Sequence, residues 1–343
     1  MLAAVRLGCN LDDDKRPDLA ENHRALRAIM QVGEFDETNF SWKRIRDNVC
    51  LLRPETIDDI NRLVVAQGHV VLPGAVKTMR ADSFVIETNI HYPTDSSLIV
   101  DGIENSVIEN SVTENSGDLL ELTTLETFVA RTQQVREVAH RRVIQGEKVP
   151  NGEKLFSLFE PHTQLYKRGK AGEPVQFGRL ALVFEDGAGF LTQHRLLTRT
   201  ESDRDVAVSE TRRLQQRFRD QVEELSFDCG FHSPQNQEEL AKLLKSPCLP
   251  KPGVQQAAAQ VAAQSAAASI TFRAAARRHP GIESAIGGLQ SGNGQKRCRD
   301  RGELGLERYL ALGILGRNLH TFGRLLIQRE APDSAAAHSQ RAA

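Results

Sequence analysis

The 343 residues, 40% hydrophobic and 26% charged, describe a globular chain long enough for two domains or for one large domain with an insertion. This composition excludes disorder throughout and a collagen-like or coiled-coil fibre. The 44 Lys and Arg against 45 Asp and Glu leave a net charge of −1, which taken alone argues against a nucleic-acid partner. That figure averages unlike halves: residues 251–343 carry a surplus of seven positive charges, and residues 81–130 hold ten acids and no Lys or Arg. A chain polarised in this way can offer a basic surface to a polyanion and gather carboxylates elsewhere.

Five scattered cysteines, Cys9, Cys50, Cys229, Cys248 and Cys298, contain no C-x-x-C pair, so neither a disulfide framework nor a zinc site is indicated. A reducing compartment is expected. The start, MLAAVRLGCNLDDDK, turns acidic without a sustained apolar stretch and reads as no export signal. The uncharged run Pro252–Phe272 is too rich in Gln and Ser to span a bilayer. The expectation is a cytoplasmic, nucleoid-associated protein with no membrane partner.

In chain order, residues 13–75 read as helical. A basic helix opens near Asn39, and Pro54-Glu55 then begins a second, with Ile57, Ile60, Leu63 and Val64 at helical spacing. Two short helices joined by a turn, the first carrying Lys43, Arg44 and Arg46, resemble a helix-turn-helix; an ordinary helical pair with a solvated basic face is the plainer alternative. From Ala81 the period becomes two, and Asp82–Glu87 reads as a strand. Residues 103–116 then repeat Glu-Asn-Ser every five residues, a period that suits neither helix nor strand, and read as a low-complexity loop. A helix runs from Leu119 to Val143.

Further on, Gln176–Glu185 and Gly189–Leu197 form a hairpin about Asp186-Gly187-Ala188. Asp205–Glu223 is a helix with Arg212, Arg213, Arg217 and Arg219 on its polar side, and Val222–Phe227 a short strand stopped by Asp228-Cys229-Gly230. Gln255–Ser269 is Ala/Gln-biased and reads as helical or disordered. Pro280 opens a helix, Arg308–Leu326 is a Leu-rich helix, and residues 331–343 read as a disordered tail. This order of strands and helices indicates an α/β or α+β core.

Three acids stand where elements end or turn: Asp82, Asp228 and Glu283. Carboxylates that converge without cationic partners repel one another unless a divalent cation sits among them, and an oxygen-only ligand set suits magnesium or manganese. The chemistry this points to is two-metal phosphoryl transfer. Spacing alone is weak support, since solvated or N-capping carboxylates are commoner. Asp95 and Asp186 are alternative metal acids, the latter better suited to its hairpin turn. His232 suits phosphate contact or packing equally. The loop 167–172 lacks P-loop spacing, and no G-x-S-x-G or H-E-x-x-H occurs.

The wording around the acids is more specific. The block Ala81-Asp82-Ser83-Phe84-Val85-Ile86-Glu87-Thr88-Asn89-Ile90-His91-Tyr92-Pro93-Thr94-Asp95 resembles the first-aspartate block of bacterial insertion-sequence DDE transposases, closest to the ISNCY group. Leu225-Ser226-Phe227-Asp228-Cys229-Gly230-Phe231-His232-Ser233 is similar to their second-aspartate block, and His279-Pro280-Gly281-Ile282-Glu283-Ser284 to their glutamate block. Phe156–Thr163, with Lys167-Arg168-Gly169-Lys170 and the hairpin after it, is similar to their sheet region. The resemblance covers about residues 20–330.

It implies an α/β fold with an RNase H-like mixed sheet flanked by helices. The implied organisation is an N-terminal helical, helix-turn-helix-like domain over residues 1–78 and a catalytic domain over 79–330, interrupted by an acidic low-complexity and helical insertion at about 102–150. Asp82, Asp228 and Glu283 would hold two divalent cations, Mg2+ or Mn2+. DNA, both terminal inverted repeats and target, would be gripped by Lys43, Arg44, Arg46, Lys167, Arg168, Lys170, Arg277, Arg278, Lys296, Arg297 and Arg299. The implied activity is cleavage at transposon ends and strand transfer, by a homodimer. Where many relatives carry Arg and Lys around the glutamate, this chain has His279 and Gln290, and an acidic repeat replaces their Arg-rich stretch. Those departures define a second expectation: a repurposed, transposase-derived DNA-binding protein without catalysis. A nuclease that is not a transposase is a third.

Overall fold

The computed structural model describes residues 1–12, 15–33, 36, 39–103, 119–167, 175–262 and 264–341. Five helices lead the chain: α1 (Leu2–Gly8), α2 (Lys15–Asn22), α3 (Arg24–Ile29), α4 (Trp42–Cys50) and α5 (Pro54–Val71). Then come β1 (Thr78–Glu87), helical residues 95–103 (α6), α7 (Leu119–Val143), β2 (Gln164–Lys167), β3 (Val175–Asp186) and β4 (Leu191–Leu196). The chain continues with α8 (Asp203–Phe218), β5 (Glu224–Phe227), α9 (Pro234–Leu243), β6 (Ser246–Cys248), α10 (Val254–Ala262), α11 (Ala266–Arg278), α12 (Gly281–Gly292) and α13 (Glu303–Arg341). The protein is α/β with a mixed open sheet.

The sheet runs β2-β3-β1-β5-β6, with β4 also paired to β3. β3 is antiparallel to β4 and to β2, and β5 is parallel to both β1 and β6. β3 is also antiparallel to β1: the Gly187 N–H donates to the Ala75 carbonyl beside the start of β1, while the Thr88 N–H donates to the Phe177 carbonyl past its end. The β5–α9–β6 unit supplies the helical crossover that parallel neighbours require.

The chain divides into two compact units. The first comprises Met1–Phe84, Leu180–Lys296 and Glu307–Ala343; the second comprises Val85–Arg179 and Arg297–Leu306. The N-terminal helices fall within the first unit. There α1 is tied to later helices: the Asn293 side chain donates to the Leu7 carbonyl at 3.0 Å, and the side chain of Asn10 to the carbonyl of Ser291 at 3.1 Å.

In the first unit the core is Ala81, Phe84, Leu182, Phe184, Leu191, Leu214, Leu225 and Phe227, completed by Ile282, Leu289, Leu310 and Ile314, all nearly solvent-free. α5 approaches closely because residue 68 is glycine: a Cβ there would stand 2.3 Å from the Phe190 ring. In the second unit Leu98, Val135 and Leu158 form a core of their own with Ile99, Phe128 and Leu155.

The hairpin, the strand before Asp228 and the helix after Pro280 form where the sequence places them, within a few residues. β1 starts four residues early, because parallel pairing from Thr78↔Glu224 to Ala81↔Phe227 fixes its register independently of the alternation. The Ala/Gln-biased stretch divides into α10 and α11, the second begun where the Ser265 Oγ accepts from the Ala268 N–H. α1, α9, β2 and β6 carry no periodicity long enough to announce them; β6 is Ser246-Pro247-Cys248. The Glu-Asn-Ser repeat lies outside the described residues. α13 has helical backbone through Arg341, beyond residue 330 where the sequence reads as a tail.

Candidate functional site

Asp82 and Asp228 both belong to the first unit, each one residue past the last paired position of β1 with β5. β1 and β5 are parallel, and the pair Ala81↔Phe227 closes their register, so the next residue on each chain is an aspartate. Asp82 lies within β1 and takes one face of the sheet, whereas Asp228 has left β5 and caps the 3-10 turn Cys229–Phe231. By the alternation of β1, the face of Asp82 also carries Arg80 and is opposite the face of Ser83.

The two faces are covered differently. On the Ser83 side, the Ser83 hydroxyl donates to Asp203 at 2.9 Å at the start of α8, where the Ser202 N–H donates to Asp205 at 2.8 Å. On the other side the end of α11 closes over β5. Arg278 pairs with Glu224, and the His279 Nδ1 lies 3.2 Å from the Ser226 hydroxyl. Arg80 joins three elements: its Nε donates to Glu185 on β3 at 2.6 Å, and its Nη1 donates to the Arg278 carbonyl at 2.9 Å. Gly281 fits against this guanidinium because it has no side chain, a Cβ there standing 2.2 Å from Nη1. Arg80 thus sets the height at which α12 begins, two residues before Glu283. A cleft of about 140 Å3 remains beside Arg80, lined also by Thr78, Glu185, Glu224, Ser226 and Arg278.

Each aspartate accepts from the backbone that follows it: Asp82 Oδ1 from the Ser83 N–H at 2.7 Å and Asp228 Oδ1 from the Cys229 N–H at 2.6 Å. Asp228 and Glu283 are exposed, and Asp82 is half-buried. Their influence is felt at His279. Burial pushes its pKa below the ordinary histidine value, Asp228 and Glu283 act to raise it, and Arg80 lowers it. The Cys229 thiol is pushed up by burial and by the adjacent Asp228. Burial also raises Glu185, against the opposing effect of Arg80.

The donor set is all oxygen, the chemistry that a hard divalent cation takes. Among the described residues no group of three or more His, Cys, Asp or Glu side chains is gathered closely enough to hold a metal ion. The arrangement is therefore two aspartates that each follow the β1–β5 ladder, with Glu283 in the first turn of α12, and of the three acids Asp228 and Glu283 act on His279.

The other acids have structural roles. Asp186 Oδ1 accepts from the N–H groups of Ala188 and Phe190 at 2.9 Å each, and its Oδ2 lies 2.6 Å from the His69 Nε2. Asp95 is held by Arg142 at 2.8 Å. His232 is 3.2 Å from the Gln237 side chain.

The basic residues are dispersed. Lys43, Arg44 and Arg46 are exposed on α4, with Arg46 stacked over Trp42 and paired with Asp47. Lys167 is exposed at the end of β2, and Arg168 and Lys170 lie outside the described residues. Arg277 and Lys296 are exposed. Arg278 is engaged with Glu224, and Arg297 lies 3.4 Å from Glu87 within the second unit, which also holds Arg299. Arg217, expected on the solvated side of α8, is instead largely enclosed against Asp58 at 3.7 Å, and burial lowers its pKa to about 10.

Arg80 is the site residue that motif reading passes over, and His279, which that reading meets only as a departure in the glutamate block, stands against Ser226. The signal for Arg80 was position, two residues before Asp82 on the same strand face. For His279 it was adjacency to Pro280 at a helix start. No family model, curated protein or solved structure matches the chain.

Proposed function

We propose that the protein is a DDE transposase: an RNase H-like enzyme that cleaves DNA at transposon ends and joins them to target DNA. The observation that carries this reading is the parallel pairing of β1 with β5, whose last pair Ala81↔Phe227 is followed on each chain by an aspartate, with Glu283 in the first turn of α12. The strand order gives further support. A three-stranded antiparallel run, β4-β3-β1, continues into two parallel strands, β5 and β6, with α8 leading from one part to the other. That order, with β2 as a further strand beside β3, is compatible with an RNase H-like sheet.

Asp82, Asp228 and Glu283 would hold the two divalent cations, Mg2+ or Mn2+. When bound, such ions supply Lewis acidity toward a phosphodiester and a water or hydroxyl of lowered pKa. The protein's own groups prepare the site. The aspartates are already fixed by backbone N–H donors, so binding a cation costs little side-chain entropy. Arg80 holds the start of α12 and so positions Glu283. Burial holds the His279 pKa below the ordinary histidine value and so disfavours a positive charge that would compete with the cation. α4 and α5, separated by residues 51–53, would serve as the helix-turn-helix, with Lys43 and Arg44 toward the DNA backbone. Arg277 and Lys296 would add phosphate contacts near Glu283, and the basic residues of the second unit would meet the duplex elsewhere. Synapsis of two ends calls for a homodimer, acting at the nucleoid. Among the described residues no helix is long and apolar enough to cross a membrane.

Purified protein with Mg2+ or Mn2+ should nick duplexes carrying the terminal inverted repeats that flank its gene, and Asp228→Asn should abolish nicking. The looseness of the acid set favours one alternative, a transposase-derived DNA-binding protein without catalysis. Salt-sensitive binding of those duplexes with no metal-dependent nicking would establish that alternative in place of the enzyme.

A further inference from the structure

The second unit holds a cavity that the acid site does not use. It is about 160 Å3 in volume and lies between α6, α7 and the sheet residues Leu165 and Phe177. One wall is aromatic: Tyr92 meets Phe177 edge-on with centroids 5.4 Å apart, and Phe156 leans on Phe177 at 5.6 Å. The opposite wall is polar. Arg142 Nη1 donates to both carboxylate oxygens of Asp95, at 2.8 and 3.1 Å, and Lys154 stands at the rim with its Nζ 3.2 Å from the Asn151 side chain.

Size, shape and charge each restrict the ligand. A cavity of roughly 150 Å3 accommodates one benzene-sized ring, so a single six-membered ring fits and a fused bicycle does not. Aromatic walls favour a planar ring that can stack. Asp95 offers an acceptor beside the donors of Arg142, and a pyrimidine edge presents a neighbouring donor and acceptor in return. Lys154 supplies a cation at the mouth, where a sugar-phosphate would emerge. Tyr92 is itself 72% exposed, a large ring held out from the core where a stacking partner can reach it.

We propose that this cavity binds a single pyrimidine nucleotide, with the base stacked on Tyr92 and edge-on to Phe177, its edge read by Asp95 and Arg142, and its phosphate beside Lys154. Its source is an unpaired base of a bound DNA strand; for that source alone the inference rests on the DNA reading above. The pocket's chemistry is independent of the acids on β1 and β5.

Calorimetry on the full chain tests this with dCMP, dTMP and dAMP, and with a duplex carrying one extrahelical cytosine against the fully paired duplex. The expected result is binding of dCMP and dTMP at millimolar concentration, with dAMP weaker by at least tenfold. Tyr92→Ala should weaken dCMP by about tenfold, the scale of one base–aromatic stack, and Arg142→Gln by less. Asp228→Asn should bind dCMP as the unaltered protein does, so loss of cleavage and loss of this pocket are separable. The bulged duplex should bind more tightly than the paired one, and Tyr92→Ala should erase the difference. Absence of dCMP binding, equal affinity for dAMP, or a Tyr92→Ala protein that binds dCMP unchanged would overturn the site. Binding of dCMP with no preference for the bulged duplex would overturn the strand as its source.

Discussion

Asp228 and Asp186 end strands of the same sheet, and their surroundings are opposite. Asp186 is enclosed and satisfied, with two backbone N–H groups on one oxygen and His69 on the other. Asp228 is exposed just past the end of β5, following the Ala81↔Phe227 pair as Asp82 does on β1, with a cysteine N–H as its backbone donor. A carboxylate surrounded by donors holds a turn together. One left exposed past the end of a strand is retained for what can bind it.

That contrast orders the expected effects. The largest is catalytic: Asp82→Asn or Asp228→Asn should lower metal-dependent nicking by at least about a thousandfold in a gel assay, on the scale of losing a metal's contribution, while Asp186→Asn, if folded, should retain it. Next is stability. Asp186→Ala strands two backbone N–H groups and should cost about 2–4 kcal/mol in urea unfolding, the cost of buried groups left unpaired. A smaller effect depends on pH. Burial holds the His194 pKa down to about 4, and its Nδ1 is enclosed with no hydrogen-bond partner among the described residues. Between the ordinary histidine value and about 4 the unfolded chain takes up a proton that the folded protein refuses, so stability falls as pH drops through that window. The loss is at most about 3 kcal/mol, and His194→Gln should flatten it in thermal melts at pH 7 and pH 5.

Arg80 refines the comparison. Arg80→Ala removes the link between β1, β3 and the start of α12 without touching a proposed ligand. Cleavage should fall about tenfold with the Mg2+ requirement shifted to higher concentration, and Arg80→Lys should restore part of it. A purely structural role would lower stability and leave the metal requirement unchanged.

Much of this was legible in the chain. The run from Ser83 to Ile86, the hairpin at Asp186-Gly187-Ala188 and the stop at Asp228-Cys229-Gly230 are local signals, and each marks a real element. Pairing was not legible: nothing within Thr78–Ala81 states that it will lie beside Glu224–Phe227, and only that pairing brings Asp82 and Asp228 to the same end of the ladder. Contact between distant charges was equally hidden. Arg217 reads as a solvated base on a helix face and is enclosed against Asp58, whereas Arg278 reads as a free phosphate contact and is engaged with Glu224. The neutral net charge had the same origin. A basic C-terminal third and an acidic segment cancel in the sum, and neither value describes the surface that a duplex would meet.

The claim that Asp82 and Asp228 form the cation site is tested most directly by Mn2+ titration followed by electron paramagnetic resonance, on the unaltered protein and on Asp82→Asn and Asp228→Asn. The account predicts that the unaltered protein depletes the free Mn2+ signal and that either substitution weakens binding by at least about tenfold. Equal Mn2+ binding by all three proteins would contradict it.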